Sequence, residues 1–95
     1  MMEFAIDRMS DANAVIGRCL RGPIRVGDAF SSIYRIVDGR SRNPSRADIT
    51  PVLLRVDQID AYQRSWTTLD EGLTAKITLS GDGLAALSPG HVLGA

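Results

Sequence analysis

The stretch Thr74-Ala75-Lys76-Ile77-Thr78-Leu79-Ser80 decides the fold class. Ala75, Ile77 and Leu79 fall on one side of an extended chain, and Thr74, Lys76, Thr78 and Ser80 on the other. That period of two marks a strand with one buried and one wet face. Working outward, Val52, Leu54 and Val56 alternate in the same way with Leu53, Arg55 and Asp57, and Ile59 then falls out of phase. A bulge or twist near Gln58 is expected from that slip. Phe4 and Ile6 open a first strand, residues 15–20 form a second and residues 29–37 a third. Gly22-Pro23, Val26-Gly27-Asp28, Asp38-Gly39, Gly81-Asp82-Gly83 and Ser88-Pro89-Gly90 are turn signals between the extended segments.

Residues 38–51 hold no periodic apolar residue and four turn formers, so they read as one exposed loop carrying Arg40, Arg42 and Arg46. Residues 61–72 read as a second exposed connection, with Tyr62 and the only tryptophan, Trp66. Leu84-Ala85-Ala86-Leu87 is long enough for about one helical turn. Several short strands with turn residues between them predict a small all-β barrel or sandwich, one domain over residues 1–95. Closing a barrel also removes the edges that an open sheet of this size would have to protect.

Composition agrees with a globular domain: 44% hydrophobic and 23% charged residues argue against disorder. A chain of 95 residues is too short for a complete nucleotide-binding fold with a substrate site, which excludes ordinary GTPases, kinases and dehydrogenases. Eleven basic and eleven acidic side chains cancel, so no global field draws the chain to nucleic acid or membrane. The distribution is uneven. Residues 18–55 carry eight arginines (Arg18, Arg21, Arg25, Arg35, Arg40, Arg42, Arg46, Arg55) against three aspartates, whereas residues 56–95 carry five carboxylates against Arg64 and Lys76. That asymmetry permits a basic face if the fold gathers the arginines on one side; a solvated, salt-laced surface is the plainer use of such charges. Cys19 is the only cysteine and reads as a small buried hydrophobe. The start, Met1-Met2-Glu3-Phe4, does not read as a signal peptide, and no stretch approaches the ~20 apolar residues that cross a bilayer. A cytoplasmic location is the expectation.

The chemistry-bearing residues are few. No Gly-x-x-x-x-Gly-Lys loop is present, the single lysine sits mid-strand, and GTP binding is not expected. His91 is the only histidine, follows a Pro-Gly turn and reads as a surface residue, so metal sites and a nucleophile–His relay are not expected. The carboxylate pairs Asp57/Asp60 and Asp70/Glu71 would need to face each other across a cleft to cleave a glycoside, and they read instead as solvated turn charges. No catalytic residue and no cofactor are expected. The two long connections remain, with Arg40, Arg42 and Arg46 in one and Tyr62, Arg64 and Trp66 in the other. Trp, Tyr and Arg dominate binding hot spots and also stack on nucleic-acid bases; the competing use of Trp66 is to pack its loop back over the barrel.

The order of these signals resembles a known family. Phe4-Ala5-Ile6-Asp7-Arg8, then Gly17-Arg18-Cys19-Leu20-Arg21-Gly22-Pro23-Ile24-Arg25-Val26-Gly27-Asp28, is similar to the β-barrel domain II of elongation factor Tu and related translational GTPases. Val56-Asp57-Gln58-Ile59-Asp60, the strand from Gly72 to Gly81, and the closing Leu87-Ser88-Pro89-Gly90-His91-Val92-Leu93 follow in the family's order. The resemblance covers about residues 3 to 94 and implies a six- or seven-stranded antiparallel Greek-key barrel, here standing alone with a shortened first hairpin. In the matching turn, Gly27 allows a tight reversal expected to leave Val26 in the core, with Asp28 accepting from the turn's own N–H groups. In elongation factor Tu this barrel helps to form the pocket for the aminoacylated 3′ end of tRNA. Asp60 occupies the position of an acidic residue of that pocket, while Thr74 stands where the family has an asparagine. The expectation is a non-catalytic binding module that presents a surface to a protein or ribonucleoprotein partner. Direct RNA or tRNA binding through an arginine-rich face is the alternative, and an enzyme of unstated type the third reading.

Overall fold

A computed structural model describes residues 2–37 and 45–95. Its main strands are β1 (Glu3–Asp11), β2 (Ala14–Arg21), β4 (Ala29–Val37), β5 (Ser45–Ala61) and β8 (Thr74–Asp82). Shorter ones are β3 (Ile24–Arg25), β6 (Arg64–Trp66), β7 (Thr68–Leu69) and β9 (Val92–Gly94), and a single 3₁₀ turn covers Leu84–Ala86. All pairings are antiparallel. The order β4-β9-β1-β2-β8-β5 closes on itself because β5 also pairs with β4, giving a ring of six strands with β6 added beside β5. The architecture is a small antiparallel all-β barrel, the first of the two all-β forms that the strand pattern allows.

The period of two explains the core. Ala75, Ile77 and Leu79 of β8 are buried, as are Leu54, Val56 and Ile59 of β5, Phe4 and Ile6 of β1, and Val15 and Cys19 of β2. Phe30 and Ile33 of β4, with Ile24, Leu69, Leu87 and Leu93, complete one contiguous cluster. Full burial of each of the valine, leucine, isoleucine and phenylalanine side chains is worth roughly 1.5–3 kcal/mol, which is what holds the ring closed. The phase slip before Ile59 is a bulge at Asp57: Val56 pairs with Leu79 and Gln58 with Thr78, so Asp57 is the extra residue. β1 and β2 approach closely at Gly17, where an added Cβ would sit 1.8 Å from the Ala5 carbonyl oxygen.

Three expectations need correction. Of the connection over 38–51, residues 45–51 belong to β5 and pair with β4, with Val37 opposite Ser45 and Ile36 opposite Arg46; residues 38–44 lie outside the described residues. Pairing with β4 supplies there the backbone partners that apolar periodicity does not announce. Residues 61–72 likewise contain β6 and β7; Asp57 and Asp60, expected at turns, are strand residues because β5 runs to Ala61, and only Asp70/Glu71 sit at a turn. Val26 is 42% exposed rather than core. The chain reverses there, with the Val26 N–H bonded to the Thr67 carbonyl and the Gly27 N–H to the Val56 carbonyl, and Ile24 fills the inward position. The rest of that turn is as expected: Gly27 has φ +97° and the Asp28 carboxylate accepts from the Arg25 N–H at 2.8 Å.

Candidate functional site

β5 runs beyond the ring and turns back into β6 through the two-residue loop Tyr62-Gln63. Both residues are left-handed, with φ +54° and +64°. Such a loop matches the twist of a hairpin, but Asn-Gly is the pair it favours, and side chains with a Cβ cost about 1–2 kcal/mol each there. As a loop residue Tyr62 stands at the tip of the hairpin, 69% exposed. Trp66 is fixed from both strands of the hairpin. Its indole Nε1–H donates to the Ala61 carbonyl at 2.8 Å, and the Arg64 guanidinium lies 4.9 Å from its ring centroid. Trp66 remains 40% exposed.

Beneath this hairpin is a groove of about 120 Å³, lined by Ala61, Tyr62, Trp66, Thr68, Leu69, Asp70 and Leu73. Leu69 anchors its floor because β7 pairs with β3, opposite Ile24, and carries the leucine into the core. Leu73 is held just before β8 by two backbone bonds between the turn and β2: Cys19 N–H to the Leu73 carbonyl and Gly72 N–H to the Cys19 carbonyl. Glu71 is tied as well, its Oε1 accepting from the Gly22 N–H at 3.2 Å. Burial pushes the Cys19 thiol pKa up, reinforced by the nearby charges of Glu71 and Asp70, so this cysteine is a packed hydrophobe as its strand context implied.

The residues singled out from sequence separate into two places. Tyr62, Arg64 and Trp66 meet on the hairpin. Asp60 lies on the same hairpin without lining the groove: its carboxylate accepts from Gln58 Nε2 at 2.9 and 3.0 Å and from the Ser65 hydroxyl at 2.8 Å. Those bonds, Gln58 first, hold its pKa below the usual carboxylate range. Arg40 and Arg42 lie outside the described residues. Arg46 belongs to a second cluster built around Glu3, which is 6% exposed. The Tyr34 hydroxyl donates to Glu3 Oε2, Arg21 Nε lies 3.1 Å from Oε1, and Arg46 Nη2 lies 3.7 Å from Oε2. The Arg46 guanidinium also stands 4.7 Å from the Tyr34 ring centroid. Burial, then the hydrogen bond and charge of Glu3, push the Tyr34 pKa up to about 12. This cluster joins β1, β2, β4 and β5 and has the character of a structural clasp.

His91 is half-buried rather than simply superficial, its Nδ1 lying 2.9 Å from the Ser88 hydroxyl across the turn. Sequence reasoning missed Leu69 and Leu73, and it took Asp70 only as a solvated turn charge. The available signal was two leucines left over in a turn-rich stretch, too few to show a period.

Barrel and groove together define a small all-β domain with an aromatic-walled surface depression. No protein-family model matches the chain, and neither does any curated protein or solved structure.

Proposed function

We propose that this chain is a non-catalytic binding module, acting in the cytoplasm, that presents the β5–β6 hairpin and its groove to a protein or ribonucleoprotein partner. The observation that carries the reading is the exposure of Tyr62, Trp66 and Leu73 around one concave, apolar spot. Exposed aromatic side chains beside a groove are the residue types and the shape that binding hot spots favour. The resemblance to translation-factor domain II supports the same reading, since a barrel of that kind works by contact.

Direct RNA binding is the competing proposal. Of its candidate arginines Arg18, Arg21, Arg40, Arg42, Arg46 and Arg55, Arg21 and Arg46 are engaged with Glu3 and Arg55 with Asp57 at 3.1 Å, Arg40 and Arg42 lie outside the described residues, and Arg18 is left to meet RNA. The protein reading is therefore preferred. It is tested by crosslinked capture with wild type and Trp66→Ala side by side, both checked for an intact NMR spectrum. The expected outcome is an affinity for the partner weakened by about thirtyfold or more in the variant, as for a hot-spot tryptophan worth about 2 kcal/mol or more. Equal recovery by both chains removes this face from the function. An affinity for RNA that falls steeply with salt would favour the competing proposal instead.

A further inference from the structure

We infer that the groove under the Tyr62–Gln63 turn takes a cationic side chain of the partner protein, an arginine above all; this rests on the reading of that face as a docking surface. At about 120 Å³ the groove has room for one side chain and not for a helix, whose diameter is about 10–12 Å. Its lining has two chemistries. Tyr62, Trp66, Ala61, Leu69 and Leu73 give apolar contact, and the two aromatic rings carry negative faces that attract a cation. Trp66 already holds one: the Arg64 guanidinium stacks on it at 4.9 Å. Arg64 is not part of the groove lining, so its charge does not fill the depression.

The other chemistry is Asp70. Among the described residues it is the one charged side chain lining the groove, and its carboxylate makes no hydrogen bond or ion pair with any of them. The neighbouring Glu71 adds a second negative charge, with one oxygen bonded to the Gly22 N–H. Phosphate-bearing ligands would meet these carboxylates as like charges, which costs binding energy. A neutral apolar side chain would leave Asp70 unused. An arginine satisfies both chemistries at once: its methylene stem packs on leucine and alanine, its planar guanidinium stacks on the rings, and its fork pairs with the carboxylate.

The test is an NMR titration with Nα-acetyl-arginine methylamide, its neutral isostere Nα-acetyl-citrulline methylamide, and AMP. The expected result is saturable movement of the Trp66 indole N–H and of the Leu69, Asp70 and Leu73 amides with the arginine compound, and about fivefold weaker binding of citrulline, the scale of an exposed cation–π contact with one ion pair. Asp70→Asn, at an exposed position where folding is not at risk, should narrow the difference to about two- to threefold, what the cation–π contact alone supplies. Equal binding of arginine and citrulline to wild type, stronger binding of AMP, or no movement at the groove would each overturn the inference. None of these results touches the capture comparison with Trp66→Ala, so the docking surface and the nature of its guest fail separately.

Discussion

Glu3 shows how one buried charge is made tolerable. A carboxylate taken out of water costs several kcal/mol unless its lone pairs are matched, and here a tyrosine hydroxyl and two guanidinium groups from three other strands match it. Tyr34→Phe removes the hydroxyl and leaves Oε2 dependent on Arg46 at 3.7 Å. We expect a loss of about 1–3 kcal/mol in urea unfolding with the slope unchanged. The tyrosine also sets an alkaline limit. Its pKa is near 10 in the unfolded chain and about 12 in the fold, so below pH 10 both states hold the proton and its contribution is complete. Between pH 10 and 12 the unfolded state ionises first, and stability falls. The difference between wild type and Tyr34→Phe should therefore shrink over that window; a constant difference would show that the hydroxyl is not held as described.

At the scale of the element, the β5–β6 hairpin combines local strain with exposed aromatic surface. Gln63 has φ +64° in a turn that favours glycine at that position. Relief of about 1–2 kcal/mol of strain, set against roughly 0.5–1 kcal/mol of added chain entropy, predicts that Gln63→Gly stabilises the protein by roughly 0.5–1 kcal/mol. Thermal unfolding would register this as a higher midpoint, and an unchanged or lower midpoint would mean that the turn carries no strain. Tyr62 stays in place in that variant, so the groove keeps its wall. The hairpin also shows why parts of the chain were illegible beforehand. Strands over 74–80 and 52–59 announce themselves because alternate residues are apolar. β6 and the start of β5 do not, because their residues are largely exposed and their order comes from backbone pairing with a neighbour that is itself well marked. The bulge at Asp57 was legible because it shifts the apolar phase. The groove was not, because Leu69 and Leu73 come from the turn and short strand on the far side of the hairpin.

For the molecule as a whole, ring closure depends on close backbone approach as much as on the core. At Gly17 a methyl group would meet the Ala5 carbonyl oxygen at 1.8 Å and the Phe4 ring at 2.9 Å. Backbone cannot yield there without parting β1 from β2. Gly17→Ala should cost more than about 3 kcal/mol and leave a chain without native amide dispersion in its NMR spectrum. A native-like spectrum would mean that the two strands are less closely joined than this. By itself, the amino-acid sequence determined the all-β class, the buried face of each well-marked strand, the turns at Val26-Gly27-Asp28 and Pro89-Gly90, and the place of the bulge. Those follow from local chemistry: side-chain alternation, glycine and proline geometry, and phase. Only the tertiary structure decided that Arg46 joins Glu3 and Tyr34, that Val26 faces outward, and that Asp70 and Leu73 stand beside Tyr62 and Trp66. These juxtapositions unite residues distant along the chain, and only the closing of the ring brings them within reach of one another.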